Sequence, residues 1–313
     1  MDRSDVDWRG YWSALPTPFT PDGDVDEEAL RAVIELYIGQ GVHGLLVNGS
    51  TGEWVSQTPD ERRHLAETAA EAIDGRVPLV VGVTAARTGV ACGLAAHAER
   101  AGADAVMAAP APGLRPTPAE LRGYFEEVFA ASALPGWLYN FPQDTATNLG
   151  VGQLSELADL PNVVAVKQST PDIRELLATI EKVGDRLVVF GHLLSRLGLS
   201  LIAGGYGGDG HFGSGMLLGA RQPAFFDLAW KGDRDGALRI VASHDALMER
   251  LRGNATDGYN WRFGGMQASL KASMNLMGQP GGLPRHPKLP ITDPAALDAI
   301  RAALREAGLD VVA

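Results

Sequence analysis

One lysine stands inside a run of apolar residues. The chain has five lysines in 313 residues, and only Lys167 lies in a strand-like segment, VVAVKQ. Burying an ammonium group is costly, so burial lowers its pKa and supplies a neutral amine. A neutral lysine amine attacks carbonyl carbons and forms a Schiff base. Lys167 is therefore a candidate nucleophile; the alternative is a strand-end lysine whose stem reaches solvent.

Two further segments carry groups that could serve such a reaction. Tyr139 lies near the end of the strand-like run GWLYNF, and a phenol can relay protons. A core aromatic with a satisfied hydroxyl is the alternative. Gly49, Ser50 and Thr51 open the segment GSTGE after another such run. Small residues let the backbone approach a ligand, and N–H and hydroxyl groups can hold a carboxylate, although a polar turn would have the same composition.

Other candidate substrate contacts are chosen only because they follow or end strand-like runs. Each is more often an ordinary strand-end residue than a ligand contact. They are Gln143, Asp144, Gly191, His192, His211 and Ser214. A glycine-rich run at 204–210 could bind phosphate, but it leads into a strand and is therefore not a dinucleotide fingerprint. The His, Cys and carboxylate spacing of a zinc site does not occur, so we predict no metal.

Eight strand-like runs alternate with helical segments and would position these residues. They recur at roughly 20–35 residues, the length of a strand–loop–helix–loop unit, and are apolar at both alternating positions, as buried parallel strands are. The runs span 12–19, 44–49, 78–83, 104–110, 136–141, 163–168, 186–191 and 209–215. The pattern predicts a (β/α)₈ TIM barrel; a doubly wound open sheet is the competing architecture. In a barrel, reactive residues lie at the carboxyl ends of the strands.

Helix signals fill the intervals and continue beyond the eighth run. Thr58 and Thr117 each begin a capping box with proline at the first helical position. Helical patterns then cover 220–253 and 264–278, and a further helix begins at Asp293-Pro294. We predict a single domain over 1–313, with the barrel in 1–230 and a helical extension packed on it in 231–313.

Composition narrows the class of protein. Hydrophobic residues make up 45% of the chain and charged residues 21%, an ordinary globular mixture. The net charge is −11 without a basic cluster, which argues against nucleic-acid binding. A run of roughly 20 apolar residues that could span a bilayer is absent, and the amino terminus resembles neither a signal nor a transit peptide. We therefore expect a cytoplasmic protein without membrane partners, and we interpret Cys92 as a small apolar residue.

The chain resembles the dihydrodipicolinate synthase / N-acetylneuraminate lyase family of class I aldolases in the order and spacing of its motifs. The matching segments are ALPTPF (14–19), GSTGE (49–53), YNFP (139–142), VVAVKQ (163–168), LKASMNLMG (270–278) and LPRHPKLPI (283–291). The resemblance implies that Lys167 forms the Schiff base and that Tyr139 relays protons. It also implies that Ser50 continues the relay and, with Thr51, binds a keto-acid carboxylate. A homotetramer, as a dimer of dimers, without metal or cofactor is the implied assembly.

Three positions depart from the family pattern. The segment 110–113 reads Pro-Ala-Pro-Gly, where members commonly carry a tyrosine pair, one of which reaches the neighbouring subunit's site. Gln143 and Asp144 stand where dihydrodipicolinate synthases place an arginine, and Asp144 would repel the carboxylate that this arginine holds. His192 follows Gly191 where sialic-acid lyases carry acidic residues. The aldehyde substrate of the dihydrodipicolinate synthases and sialic acid are therefore both disfavoured as substrates.

The leading hypothesis is a class I lyase that binds pyruvate or another 2-keto acid. It would cleave, condense or dehydrate a 2-keto-3-deoxy or 4-hydroxy-2-keto acid. The alternatives are a 4-hydroxy-tetrahydrodipicolinate synthase-type condensation, a catalytically impaired keto-acid-binding protein and, on the glycine run alone, an unrelated phosphate-binding barrel. Tyr206 is a candidate replacement for the missing tyrosine.

Overall fold

Eight parallel strands close into a barrel in the computed structural model, which describes residues 1–252 and 260–312. Each strand pairs with its sequence neighbours, and the first pairs with the eighth. The strands are β1 (Gly10–Ala14), β2 (Gly44–Val47), β3 (Leu79–Gly82), β4 (Ala105–Ala108), β5 (Gly136–Asn140), β6 (Val163–Gln168), β7 (Val188–Gly191) and β8 (Gly210–Ser214). The predicted (β/α)₈ barrel is confirmed, and the open-sheet alternative is wrong.

The strands lie within the predicted runs and are at most two residues shorter at either end, except at β1. The run predicted over 12–19 was wrong there: β1 covers Gly10–Ala14, and the last ladder bond runs from Leu15 N–H to Leu46 O at 2.9 Å. Pro16 and Pro18 have no N–H and cannot continue a central strand.

Helices lie between the strands and follow the last one. They are α1 (Glu27–Gly39), α2 (Pro59–Ile73), α3 (Thr88–Arg100), α4 (Pro118–Ala130), α5 (Pro142–Thr145), α6 (Val151–Leu157), α7 (Ile173–Val183), α8 (Arg196–Gly204), α9 (Arg221–Trp230), α10 (Arg234–Arg252), α11 (Met266–Leu276) and α12 (Pro294–Glu306). Both predicted capping boxes are present, at Thr58 and Thr117. The run predicted helical over 220–253 is broken at Gly232, whose φ is +78°; its last residue, 253, lies outside the described residues.

Aromatic side chains fill the barrel interior. Trp12, Trp137, Phe190 and Phe212 pack with ring centroids 5.0–5.7 Å apart. Such contacts are tilted or edge-to-face, which suits the quadrupoles of the rings. A separate apolar layer lies between the barrel and the helices. These apolar side chains close the barrel interior below its carboxyl end.

Helix α11 lies against the loop that follows β2. Its Lys271 is buried and donates to Glu53 Oε1 at 2.6 Å and to Thr17 O at 2.6 Å. Gln267, one turn earlier, donates to Ser50 O at 2.9 Å. The C-terminal helices therefore fix a loop on the barrel. Across the described ranges, no helix combines the length and apolar character needed to cross a membrane.

Candidate active site

Lys167 lies at the carboxyl end of β6 with its amine over apolar rings. Its Nζ is 4.2 Å from the ring centroid of Tyr139, its register partner on β5, and 4.9 Å from that of Phe212 on β8. The residue is 8% exposed. Burial lowers the pKa of Lys167 to about 7. Roughly half of the amine is therefore neutral near pH 7, against a small fraction of an ordinary lysine.

Tyr139 is held in its protonated form by the same surroundings. Burial raises the pKa of Tyr139, and the carboxylate of Asp144 raises it further. Hydrogen bonds with Ser50 and Ser169 oppose this rise. A neutral phenol thus lies beside an amine that is about half neutral near pH 7, and the phenol can protonate an oxygen that leaves a carbon attached to Lys167.

The loop after β2 has a constrained backbone. Asn48 and Glu53 adopt left-handed conformations, with φ of +59° and +60°. Between them, Ser50–Gly52 forms a short 3₁₀ turn. Gly82 on β3 allows the close approach, because a β-carbon there would lie 2.3 Å from Asn48 O. With the bonds from Lys271 and Gln267, the loop holds Ser50 and Thr51 at the barrel mouth.

A cavity of about 230 Å³ opens above Lys167. The predicted site residues that line it are Ser50, Thr51, Tyr139, Gln143, Lys167, His192 and Ser214. Residues on β5, β6, β8 and α5, the residue directly after β7 and the loop after β2 thus meet at one end of the barrel, where the active residues of such barrels lie.

A second cavity, also of about 230 Å³, continues beyond His192, Phe212 and Ser214. His211 faces it, and His211 Nδ1 accepts a hydrogen bond from Leu194 N–H at 3.1 Å. A neutral ring whose Nδ1 accepts carries its proton on Nε2, which is then a donor. Burial lowers the pKa of His211 well below its usual value and that of His192 to about 4. Both rings are therefore neutral near pH 7.

Arg252 lies in the wall shared by the two cavities. Its guanidinium carbon lies 5.2 Å from the ring centroid of Trp261. Burial lowers the pKa of Arg252, but a guanidinium stays charged in proteins. Its buried Nε has no hydrogen-bond partner within the described residues. Arg252 is thus a cation beside a run of neutral hydrogen-bonding groups.

Other predicted site residues lie elsewhere. Gly49 and Asp144 line a smaller cavity of about 30 Å³, on the other side of Ser50 and Tyr139. A β-carbon at Gly191 would lie 2.6 Å from Leu176, so this glycine faces helix α7.

The glycine run at 204–210 joins α8 to the start of β8, at the opposite end of the barrel. The suggestion that Tyr206 completes a relay is wrong, because Tyr206 lies at that end and is 74% exposed. The phosphate-binding reading of the glycine run loses its support for the same reason.

Sequence reasoning missed several lining residues: Phe141, Ser169, Pro171, Phe212, Arg252 and Met266. Ser169 follows Lys167 by two positions, and alternation along an extended chain could have found it. Arg252 lies on helix α10, far along the chain, and a search limited to strand ends cannot find it.

A family model describes nearly the whole chain. The model of the dihydrodipicolinate synthetase family matches residues 7–307. The chain belongs to this family and is a (β/α)₈-barrel lyase. Within the described residues, no three histidine, cysteine or acidic side chains are grouped to hold a metal ion.

Individual relatives match nearly the whole chain. It is 33% identical over 307 residues to a 4-hydroxy-tetrahydrodipicolinate synthase of Bradyrhizobium diazoefficiens, which covers 96% of this chain and 97% of the relative. It is 32% identical over 300 residues to an uncharacterized DapA-like lyase of Rhizobium meliloti, covering 96% of each.

Two solved structures superpose closely on the whole barrel. Dihydrodipicolinate synthase from Aquifex aeolicus matches with a TM-score of 0.86 and 26% identity, over 98% of this chain and 100% of that one. YagE, a prophage protein of Escherichia coli K12 solved with pyruvate, matches with a TM-score of 0.85 and 25% identity, over 97% and 100%.

Proposed function

We propose that this lyase forms a Schiff base between Lys167 and C2 of pyruvate or a related 2-keto acid. The observation that carries the proposal is the buried amine of Lys167, whose pKa is lowered to about 7 beside the protonated phenol of Tyr139. The solved relative with pyruvate supports the same class of ligand.

The two groups suit successive steps of imine chemistry. The Nζ lone pair of Lys167 adds to C2, and the former carbonyl oxygen takes a proton from Tyr139. Loss of water from this carbinolamine leaves a protonated imine. The imine withdraws the electron pair of a C3–C4 or C3–H bond and stabilises the resulting enamine. Protonation at C3 and hydrolysis return pyruvate and the free lysine.

The substrate carboxylate is proposed to bind at the loop after β2. Within the 3₁₀ turn, the N–H groups of Gly52 and Glu53 donate hydrogen bonds to Gly49 O and Ser50 O. The N–H groups of Ser50 and Thr51 precede them at the start of the turn, where a helix has no internal acceptor. Together with the Thr51 hydroxyl they suit a carboxylate.

The distal part of the substrate is proposed to extend past His192 toward Arg252. The cavity there continues into a second one of equal size, so a three-carbon acid would leave much of the space unfilled. Neutral histidines donate to and accept from hydroxyl groups, and a guanidinium binds carboxylates. We therefore propose a sugar-derived 2-keto-3-deoxy acid or a 4-hydroxy-2-keto acid, with Gln143 and Ser214 as further contacts.

Arg252 also supports a second candidate reaction. A condensation in which the pyruvate enamine attacks an aldehyde that carries a carboxylate would use the same cation. The synthase name among the curated relatives favours this direction of reaction.

Borohydride trapping tests the Schiff base. The protein is incubated with pyruvate and borohydride, and the reduced adduct is mapped by peptide mass spectrometry. We expect the adduct on Lys167, none in Lys167→Met, and an undiminished yield in the matched control Lys182→Met, whose lysine is exposed on α7. Absence of the adduct, while a known class I aldolase is trapped in parallel, would contradict the proposal.

A substrate panel then separates the two reactions. Release of pyruvate from 2-keto-3-deoxy acids, measured with a coupled dehydrogenase, would support cleavage. Consumption of pyruvate only when a carboxylated aldehyde is present would support condensation.

A cytoplasmic homotetramer remains part of the proposal. One structural relative at 25% identity is titled a monomeric dihydrodipicolinate synthase variant, so the assembly differs among relatives. Light scattering coupled to size-exclusion chromatography would distinguish a tetramer from a dimer or a monomer of 33.1 kDa.

A further inference from the structure

A hydrogen-bonded chain leads from Tyr139 away from the Lys167 cavity. Ser50 Oγ donates to Asp144 Oδ2 at 3.2 Å. Tyr139 lines the same two cavities as Ser50, and hydrogen bonding with Ser50 opposes the rise in the pKa of Tyr139. A serine hydroxyl has one proton, and here that proton is directed at Asp144. Ser50 is therefore left to accept from the phenol of Tyr139, and the three side chains offer a path for a proton.

The path connects the buried cavity with the surface. Tyr139 and Ser50 line both the Lys167 cavity and the small cavity behind it, whereas Asp144 lines only the small one. Asp144 is exposed, so its carboxylate can exchange protons with water.

The backbone fixes the position of Asp144. It lies on α5, a single turn that begins at Pro142 directly after β5. The buried Thr145 hydroxyl holds this turn by donating to a neighbouring carbonyl. Tyr139 and Asp144 are therefore joined by a short, bonded stretch of chain.

We infer that Asp144 is the outer member of a proton relay, Tyr139–Ser50–Asp144, that supplies and removes the protons of the Lys167 reaction. The inference rests on the proposed Schiff base. The segment 110–113 reads Pro-Ala-Pro-Gly and has no hydroxyl side chain to accept from Ser50, although Pro112 lines the small cavity. The acceptor for the Ser50 hydroxyl is instead the carboxylate of Asp144, in the same subunit.

The protons balance in both directions. On the way from the carbonyl to the imine, Tyr139 gives one proton to the departing oxygen and becomes a phenolate. Asp144 then takes a proton from water and passes it to Ser50, while the Ser50 hydroxyl turns and gives its own proton to the phenolate. When the enamine forms, Tyr139 passes its proton through Ser50 to Asp144, which releases it to water, and the new phenolate takes the proton from C3. Asp144 acts through the other two residues and does not touch the substrate.

Exchange of the pyruvate methyl protons in D₂O, followed by NMR, tests the relay without a second substrate. Imine and enamine formation replace these protons with deuterium. We expect Asp144→Asn to slow exchange about 10- to 100-fold, within the range of a lost acid–base group, while borohydride still traps the adduct on Lys167. The matched control Asp22→Asn, in an exposed turn, should exchange at the wild-type rate.

Chemical rescue separates a proton-carrying role from a structural one. In Asp144→Ala the lost carboxylate leaves room for formate, and we expect added formate to restore exchange several-fold. Formate should have no effect on Asp144→Asn. Exchange at the wild-type rate in Asp144→Asn, or slow exchange in Asp144→Ala that formate does not restore, would overturn the relay. Failure of the wild-type protein to trap pyruvate would instead refute the Schiff base, and the relay with it.

Discussion

The lowered pKa of Lys167 predicts an unusual dependence of its reactivity on pH. With a pKa of about 7, the neutral fraction is about one half at pH 7 and nearly complete at pH 9. The reactivity of Lys167 should therefore only about double over this interval. An ordinary lysine with a pKa near 10.4 gains about 100-fold over the same two pH units, because its neutral fraction stays small throughout.

Limiting acetylation measures this difference. The protein and a free lysine derivative are treated together with a trace of acetic anhydride at several pH values, and the acetylated fraction of each is quantified by mass spectrometry. The free lysine corrects for hydrolysis of the reagent. If Lys167 gained about 100-fold between pH 7 and pH 9, its amine would be fully charged at pH 7. Burial over Phe212 would then not provide the nucleophile.

Substitutions at Lys167, Lys271 and Arg252 test the stability and the binding contributions of these residues, with Glu53→Gln added to the second. Lys167→Met should stabilise the fold by up to about 5 kcal/mol below pH 7, since one pKa unit corresponds to about 1.4 kcal/mol. The lysine of the unfolded chain keeps its proton up to about pH 10, whereas that of the folded chain loses it near pH 7. The stability of the wild type therefore rises between pH 7 and pH 10. Urea melts repeated across this interval should show the stability gain of the variant shrinking. Lys271→Met should lower the free energy of unfolding by about 3–5 kcal/mol in the same melts, because it leaves Glu53 buried without its cation. The double variant Lys271→Met, Glu53→Gln should recover part of that stability. Full additivity of the two changes would contradict the ion-pair account. Arg252→Met should raise KM at least tenfold for keto acids with a distal carboxylate while pyruvate is trapped as in the wild type, and equal losses for both would remove Arg252 from the distal site.

The barrel and the core of the site could be predicted because both follow from local patterns. Eight apolar runs at intervals of roughly 20–35 residues favour a barrel over an open sheet, and the barrel brings the ends of its strands together. Lys167 and Tyr139 occupy adjacent strands at the same register, so their contact was implied by the order of the strands. The division at residue 230 between barrel and extension stays a prediction.

The remainder of the site depends on geometry that strand order does not contain. Asp144 was predicted to contact the substrate; the structure places it behind Ser50, in the wall of the small cavity and not in that of the Lys167 cavity. Arg252 comes from a helix that no strand-end rule could connect with Lys167. The left-handed backbone at Asn48 and Glu53 is likewise set by tertiary contacts, including the ion pair with Lys271, which a sequence pattern does not reveal.

One physical cause sets both ionisation states that the proposed chemistry needs. Burial disfavours charge of either sign, so the same apolar surroundings lower the pKa of Lys167 and raise that of Tyr139. The result near pH 7 is an amine that is about half uncharged beside an uncharged acid. A pair so buried would lack access to the protons that each turnover must exchange with water. In the proposed relay, the hydrogen bond from Ser50 to the exposed Asp144 meets that need.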